Sequence, residues 1–375
     1  MPSFRVARIR GIAIEIHPSW LFILGVLSFS LSDGVFPDQY PGWSTATYWA
    51  VGVTSALLLF AAVLVHELAH AVVAQRRGLE VPKITLFIFG GVSHIARQPR
   101  SAGEEFAIAV AGPLTSLAIA ILAGVVYLTM HERIEQVGAI GAYLATVNLL
   151  LAIFNILPGF PLDGGRVLRS IAWRRTKSFR RATRIAGSVG EIFGYTLMMG
   201  GVAFLLAGYA WNGLWFMFIG WFLSGAARGE KEALQLESVL SRLRARDVMR
   251  TTYPTITPGI SIEEVVERHM VGEGERAAVV AMDDAVVGIL SVSDVRRVPR
   301  EAWPNTPAQR AMTPRDRVLT VSAETPALEV LHQLGANRLN QVPVLEEGRM
   351  IGLITRRELL ERVELAESLG ERRPD

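Results

Sequence analysis

The sequence contains no cysteine among its 375 residues. Disulfide bonds and thiolate metal sites are therefore excluded, and cysteine usage gives no information about the cellular compartment. A signal-peptide pattern is also lacking, because the apolar run that starts at Pro18 has no small-residue cleavage site and further apolar runs follow it. We therefore interpret this first run as a membrane span.

A continuous basic stripe is missing as well, although the net charge is +3 and the isoelectric point is about 9.4. In a membrane protein, this charge balance reflects basic residues held at the cytoplasmic surface. In the C-terminal part of the chain, acidic and basic residues are mixed. We therefore expect no nucleic-acid partner.

Hydrophobic residues make up 50% of the chain and the mean hydropathy is +0.32, but these averages hide an uneven distribution. Residues 1–227 are mostly apolar, whereas residues 228–375 have an ordinary soluble mixture rich in Glu and Arg. The length allows two or three domains. We predict a multi-domain protein with a polytopic α-helical membrane domain over 1–227, a charged linker over 228–245 and a water-soluble domain beyond it.

A membrane-spanning helix needs about 20 mostly apolar residues. Six segments are candidates, and the first is short unless the preceding "GIAIEIH" extends it. The candidates are Ser19–Ser32, Tyr48–Ala74, Phe106–Met130, Val137–Leu157, Ile185–Ala207 and Trp211–Ala227. Basic residues cluster before the first span, after the second and after the fourth, and the other loops hold one or none. The positive-inside rule then predicts a multi-pass protein of the cell membrane with both termini in the cytoplasm.

The second predicted span contains the ionisable sequence "HELAH". Its histidines, His66 and His70, are four residues apart and so lie on one face of a helix. Two imidazoles at this spacing can share a Zn²⁺ ion, with Glu67 beside them as general base. His66 is ten residues before the basic Arg76, about 15 Å along a helix, and ionisable groups at that depth indicate function. The alternative is a buried polar cluster without metal.

A catalytic zinc ion takes a third protein ligand and keeps one position open for water. The candidate is Asp163 in "NILPGFPLDGGR", on the same side of the membrane as the histidines. The prolines of this segment break the helix, and its Gly164–Gly165 pair is expected to loosen the backbone further. Irregular backbone at membrane depth indicates a wet cavity, which a hydrolase needs. The alternative is that Asp163 only caps the next helix.

HExxH in one span and N-x-x-P-x-x-P-L-D-G-G-R in a later one resemble the site-2 proteases, intramembrane zinc metalloproteases of peptidase family M50. The resemblance covers the whole membrane part. It implies one Zn²⁺ per chain, bound by His66, His70 and Asp163, with Glu67 activating water. It also implies that Asn155 faces the active site and binds the substrate carbonyl or the oxyanion. An interhelical hydrogen bond is the alternative for Asn155.

The same resemblance implies a transmembrane protein as substrate, such as a membrane-anchored transcription factor or anti-sigma factor. No segment between the second and fourth spans is long enough for a PDZ domain. The segment "ITLFIFGGVSHI", residues 84–95, predicts a membrane-associated β-hairpin, which in this family offers an edge strand to the extended peptide. A hairpin that only packs is the alternative, and we treat its His94 as structural.

Residues 246–375 contain an internal repeat. Each copy predicts the order strand, helix, strand, turn, strand, helix, and the two copies resemble a pair of CBS domains over 246–300 and 301–375. In that family the turn G-h-h-[ST]-x-x-D binds the ribose and phosphate of adenine nucleotides. The matching residues are Gly288, Ser291 and Asp294 in the first copy, and Gly352, Thr355 and Glu358 in the second.

An ionised aspartate can accept hydrogen bonds from both ribose hydroxyls, and the glutamate of the second copy departs from the pattern. The resemblance leaves two interpretations of the CBS pair, an ATP- or AMP-binding regulator or a module for homodimerisation. Two alternatives also exist for the whole chain. One is a CBS-gated transporter or channel that uses the buried His/Asp cluster as an ion path, and the other is a proteolytically inactive scaffold.

Overall fold

A computed structural model describes residues 3–368 apart from residues 89, 96, 284 and 338. Phe89 of the predicted hairpin and residues 369–375 of the predicted C-terminal tail therefore lie outside the described residues. The chain divides into two compact units, Met1–Lys231 and Glu232–Asp375.

The first unit is mainly helical and carries one small sheet. Its helices are α1 (Pro18–Ser30), α2 (Phe36–Gln39), α3 (Thr45–Arg76), α4 (Ala102–Met130), α5 (Glu135–Ile156), α6 (Asp163–Thr176), α7 (Phe179–Leu206) and α8 (Ala210–Leu240), the last of which ends beyond Lys231. A π-helical segment, Leu31–Val35, joins α1 to α2.

Among the described residues, five helical segments are long and apolar enough to cross a membrane. They are Pro18–Gln39, Thr45–Arg76, Ala102–Met130, Glu135–Ile156 and Phe179–Leu206. The sixth predicted span, Trp211–Ala227, lies within α8 and is not one of the five. The segment's tryptophans, glycines and asparagine lower its hydropathy. The protein is a multi-pass membrane protein with at least these helices.

The first span is extended at its C-terminal end, not at its N-terminal end as expected. Residues Ile12–Ile16 of "GIAIEIH" form a strand, whereas the helix continues through the π-helical segment to Gln39. His17 stops extension towards the N-terminus because its side chain accepts a hydrogen bond from the Ser19 backbone N–H at 3.2 Å and Pro18 occupies the first helical position.

A four-stranded sheet precedes and follows the second span in sequence. Its strands, in spatial order, are β1 (Phe4–Ile9), β2 (Ile12–Ile16), β3 (Lys83–Phe87) and β4 (Gly90–His94). The strands β2 and β3 are parallel, and the other two pairs are antiparallel. The β3–β4 hairpin agrees with the sequence prediction, whereas β1 and β2 were not predicted. The apolar face of the sheet packs against α3 and α4 and forms a buried core with them.

The break between α5 and α6 lies where the prolines predict it, from Leu157 to Leu162. Gly164 and Gly165 do not loosen this region, contrary to the expectation. Both are buried in the first turn of α6, where a Cβ at Gly164 would overlap the carbonyl of Leu157 and one at Gly165 would overlap Gly159. The glycines therefore allow the start of α6 to pack directly on the preceding backbone.

The second unit consists of two similar copies of a small α/β motif. The first contains β5 (Thr255–Ile256), α10 (Ile262–Val265), β6 (Ala277–Met282), β7 (Ala285–Ser291) and α11 (Val292–Val295). The second contains β9 (Val321–Ser322), α13 (Ala327–Ala336), β10 (Gln341–Glu346), β11 (Arg349–Thr355) and α14 (Arg356–Ser368). The remaining short elements are α9 (Ala245–Val248), α12 (Ala308–Ala311) and β8 (Thr313–Pro314), with π-helical Val266–Gly272 and 3₁₀ turns at Arg300–Asn305 and Arg315–Arg317.

The predicted order of strands and helices is confirmed in both copies. The sheets are ordered β5-β6-β7-β8 and β11-β10-β9, and each has its own apolar core. Much of the predicted linker is helical, because α8 continues to Leu240, which is fully buried in the core of the second copy. The fold class predicted from the sequence is therefore confirmed.

Candidate active site

Helix α3 presents the two histidines of "HELAH" on its buried face. It begins at a cap in which the Ser44 hydroxyl accepts from the Thr47 backbone N–H at 3.2 Å, and it runs without interruption to Arg76. His66 and His70 are one turn apart and are only 5% and 3% exposed. The side chains therefore project from a rigid helix into the interior of the first unit.

Asp163, the first residue of α6, reaches the same point from another helix. Its Oδ2 atom lies 3.2 Å from His66 Nε2 and 3.1 Å from His70 Nε2, and the two Nε2 atoms are 3.2 Å apart. Among the described residues, this is the one group of three metal-ligating side chains brought together in this way. The three residues proposed from the sequence as ligands thus converge.

The hydrogen bonds on the other side of the rings show what this cluster can hold. His70 Nδ1 lies 2.7 Å from the Ile108 carbonyl oxygen, which can only accept, so Nδ1 carries the proton. In a neutral imidazole, Nε2 then presents a lone pair. His66 Nδ1 is likewise bound, 2.8 Å from the Ser116 hydroxyl. Such a partner on the far nitrogen is typical of metal-binding histidines.

The separations also suit zinc. Ligand atoms bound at about 2.0–2.2 Å in a tetrahedron stand about 3.3–3.6 Å apart, close to the 3.1–3.2 Å found among these three atoms. When His66, like His70, carries its proton on Nδ1, two lone pairs and a carboxylate oxygen meet at this distance, and a cation between them removes their mutual repulsion. The donor set therefore fits a zinc ion, and two imidazoles with one carboxylate are a known set for catalytic zinc.

Helix α4 forms the wall behind the histidines. Ile108, Gly112 and Ser116 lie on one face of it, and a Cβ at Gly112 would overlap the Nε2 atoms of both His66 and His70. Gly112 belongs to "AGP", a sequence that signals close helix packing. In the structure, the two imidazole rings pack closely against this glycine. The sequence analysis did not identify Gly112 or Ser116 as site residues.

Glu67 is held by the hairpin. The Ser93 hydroxyl in β4 donates to Glu67 Oε2 at 2.7 Å, and a Cβ at Gly91 would overlap the Glu67 side chain. The short strand therefore fixes the carboxylate beside the histidines and leaves room for it. Ser93 was also not predicted, since a single serine in an apolar strand gives no sequence signal for this contact.

Asn155 lies in the last turn of α5 and is half-buried. Its amide makes no hydrogen bond to any residue in the described part of the chain, so the interhelical hydrogen bond considered from the sequence is not formed. His94, which we treated as structural, is exposed on β4 with Nε2 3.3 Å from the Thr85 hydroxyl.

In the first CBS copy, the predicted nucleotide residues form a helix cap. Asp294 Oδ2 accepts from the backbone N–H and the hydroxyl of Ser291 at 2.8 and 2.5 Å. The other oxygen, Oδ1, accepts from Arg297 and, at 3.2 Å, from the Thr313 hydroxyl. Asp294 is only 3% exposed. All its acceptor positions are therefore filled within the protein.

The second copy repeats this cap with a longer side chain. Glu358 Oε2 accepts from the backbone N–H of Thr355 at 2.8 Å and from the Thr355 hydroxyl. Its second oxygen faces Arg250 at 3.7 Å, and Arg250 in turn forms a bidentate pair with Glu275 at 2.6 and 2.7 Å. The hydrogen bond with Glu275 raises the pKa of Arg250. The Asp-to-Glu departure thus links the cap to an ion-pair cluster.

A cavity of about 640 Å³ lies in the second unit and is lined by residues of both copies. Tyr253, Arg315 and Arg349 contribute polar groups to its wall. Of the six predicted nucleotide residues, all of which the structure describes, Gly288 alone lines this cavity. The predicted ribose-binding carboxylates are therefore not brought to its surface.

Comparisons with known proteins match both units. The model of peptidase family M50 matches residues 54–139 and 131–199, and the CBS domain model matches residues 245–301 and 309–365. Two relatives are named as zinc metalloproteases. The protein sll0528 of Synechocystis sp. is 32% identical over 96% of this chain and 94% of its own length, and Rip3 of Mycobacterium tuberculosis is 34% identical over 93% and 90%.

Among solved structures, a site-2 protease from Methanocaldococcus jannaschii is 28% identical and covers 61% of this chain and 95% of its own, with a TM-score of 0.42. The two segments matched by the M50 model contain all three residues that converge at the site, together with Glu67.

We predict that Gly112→Ala lowers zinc affinity by about tenfold or more, because the new methyl group displaces both imidazoles. Losses of this size are found when the residues that support metal ligands are changed. Gly124→Ala is the matched control, since it lies on the same helix with nothing within 4 Å of its Cβ position. At both positions, alanine favours the helix by about 1 kcal/mol relative to glycine. Zinc competition with a chromophoric chelator measures the effect, and equal affinity in both variants would contradict this prediction.

Two serine variants should separate the base from the metal. Ser93→Ala removes a hydrogen bond to the Glu67 carboxylate worth about 1.5–3 kcal/mol. Peptide cleavage should therefore slow by about 10- to 150-fold, with zinc content unchanged. Ser116→Ala removes the partner of His66 Nδ1 and should lower zinc affinity itself. Single-turnover cleavage and metal analysis on both variants test this, and loss of zinc in Ser93→Ala would refute the separation.

Proposed function

The chain belongs to peptidase family M50 and is an intramembrane zinc metalloprotease with a CBS pair, and on that premise we propose that His66, His70 and Asp163 bind the zinc ion and that Glu67 is the general base. The observation that carries the proposal is the convergence of two Nε2 atoms and one carboxylate oxygen at 3.1–3.2 Å.

The residues of the chain divide the work of hydrolysis. When bound, zinc acts as a Lewis acid and makes water a nucleophile at neutral pH. Glu67, oriented by Ser93, takes a proton from the attacking water and passes it to the leaving amine. Asn155, whose amide is not used elsewhere in the described structure, hydrogen-bonds the substrate carbonyl or the oxyanion.

We infer that the substrate is a transmembrane protein held in extended form. A helical substrate hides its carbonyls, so it must unwind before cleavage. Strand β4 is at the edge of its sheet, and its residues Gly91 and Ser93 contact Glu67. Pairing of the substrate with β4 would place a peptide bond beside the general base. The alternative is that the hairpin only packs against the rest of the first unit and does not bind the substrate.

The location of basic residues supports a topology with both termini in the cytoplasm. Arg76 ends α3, and six basic residues lie from Arg174 to Arg184, where α6 ends and α7 begins. By the positive-inside rule these ends face the cytoplasm, so Asp163 and the histidines lie in the cytoplasmic half of the bilayer. Cleavage there would release the cytoplasmic part of a membrane-anchored regulator, such as a transcription factor.

For the CBS pair we propose binding of an adenine nucleotide in the cavity shared by its two copies. The volume of about 640 Å³ is that of a small-molecule site. Arg315 and Arg349 supply cationic groups suited to phosphates. Ribose recognition by Asp294 would require both release of its carboxylate by Arg297 and movement of that carboxylate to the cavity, which it does not line. Homodimerisation through the CBS pair stays a prediction from the family resemblance.

The alternative of a CBS-gated transporter or channel has less support than proteolysis. The relatives that align over more than nine-tenths of the chain are named as zinc metalloproteases. An inactive scaffold is also disfavoured, because Glu67 is present and hydrogen-bonded in position.

Glu67→Gln should abolish cleavage of a tagged single-span substrate coexpressed with the protein, while the zinc content of the purified protein is retained. The amide cannot accept the proton from water, but it does not touch the three ligand atoms. Immunoblotting for the released fragment and metal analysis measure both outcomes. Equal cleavage by the wild type and the variant would rule out this role for Glu67.

Titration of the full-length protein with ATP or AMP tests the CBS proposal. We expect a rise in melting temperature at millimolar nucleotide, since a ligand that binds only the folded state stabilises it. Arg315→Ala should reduce this rise, whereas Arg357→Ala, an exposed residue paired with Glu361 outside the cavity, should not. No shift in the wild type at millimolar nucleotide would remove the sensor interpretation.

A further inference from the structure

Glu105 and Arg169 form a buried ion pair between two helices of the first unit. Glu105, in the first turn of α4, is completely buried. Arg169, in the middle of α6, donates from Nε to Glu105 Oε1 at 2.5 Å and places a second guanidinium nitrogen on the same oxygen. The side chain of Arg169 is only 11% exposed, so both charges are largely removed from solvent.

Two aromatic rings hold the guanidinium in place. Its central carbon is 4.9 Å from the centre of the Phe160 ring and 4.7 Å from that of Phe179. Phe160 lies in the turn directly before Asp163, and Phe179 is the first residue of α7. Arg169 therefore joins α4, the turn before α6 and the start of α7, through contacts that are both ionic and cation–π in character.

The position of this pair relates the third zinc ligand to the other two. Glu105 is on the same face of α4 as Ile108, Gly112 and Ser116, which support the two histidines. Arg169 is six residues after Asp163, about 9 Å along the axis of α6. One helix face thus contacts the histidines directly and, through Arg169, the helix that begins with Asp163.

We propose that the Glu105–Arg169 pair is a positioning device that sets the distance of Asp163 from His66 and His70. Buried ion pairs contribute little net stability compared with apolar residues, and their best-supported use is to select one arrangement of elements. Glu105 Oε2 has no hydrogen-bond partner among the described residues, so the pair is poorly optimised for stability alone. The inference rests on the proposed assignment of these three residues as zinc ligands.

The experiment compares Glu105→Gln and Arg169→Lys with Glu191→Gln in the full-length protein. Glu191 pairs with Lys231 at 2.9 Å and is a matched control, because this ion pair joins α7 to α8 and includes no residue of α4 or α6. Two properties are measured, the Zn²⁺ affinity by chelator competition and the visible spectrum of the Co²⁺-loaded protein, which reports ligand geometry without reference to proteolysis.

We expect Glu105→Gln and Arg169→Lys each to lower Zn²⁺ affinity by about tenfold or more and to change the Co²⁺ spectrum. Because the two residues act as a unit, the double variant should bind Zn²⁺ no more weakly than the more impaired of the two single variants. Arg169→Lys keeps the positive charge but loses the planar guanidinium and its stacking on the two rings. A loss of Zn²⁺ affinity in this variant would therefore show that the guanidinium geometry is required, and not the charge alone. Glu191→Gln should stay within twofold of the wild type.

Wild-type affinity and spectrum in Glu105→Gln and Arg169→Lys would overturn the inference while leaving the ligand assignment intact. Equal loss in Glu191→Gln would also overturn it, since the effect would then be general destabilisation. A wild-type protein that binds no Zn²⁺ would refute the ligand assignment and the inference with it.

Discussion

The active site depends on the close approach of three metal-ligating atoms, which a cation placed between them would stabilise. Two imidazole Nε2 atoms and a carboxylate oxygen face one another at 3.1–3.2 Å in a nearly solvent-free interior. The far nitrogens of both rings are engaged by α4, so neither ring can rotate away without losing a hydrogen bond. The surrounding helices therefore hold the three atoms in an arrangement that suits a divalent ion.

This constraint explains why α4 carries small and polar groups at the face that meets α3. An apolar branched residue at Gly112 would occupy the space of the imidazoles, and an apolar residue at Ser116 would leave His66 Nδ1 without a partner. At the hairpin, Gly91 and Ser93 serve Glu67 in the same manner. A glycine without a side chain thus leaves space for the histidines and another for Glu67, and a serine hydroxyl orients His66 in the first case and Glu67 in the second.

The sequence predicts those parts of the site that depend on local spacing. His66, Glu67 and His70 follow from a five-residue helical pattern, and Asp163 from a motif after a proline break. The supporting contacts could not be predicted, because they join residues 26, 38 and 50 positions apart through helix packing. The carbonyl of Ile108 carries no side-chain signal at all. Strand β1 escaped prediction since every residue of it is exposed and arginines interrupt its apolar residues. Strand β2 lies in "GIAIEIH", whose apolar residues are equally compatible with an extension of the first span.

The CBS copies show the converse case, in which a motif is present but its residues have local partners. Asp294 and Glu358 both cap a helix that begins at their own motif serine or threonine. A carboxylate three residues after a hydroxyl is also the pattern of a capping box, so the pattern alone cannot separate ribose binding from helix capping. In the membrane unit the corresponding ambiguity for Asp163 is resolved by geometry, because its carboxylate turns away from its own helix end and towards two histidines. Convergence of side chains from separate helices is therefore stronger support for a site than a match within one segment.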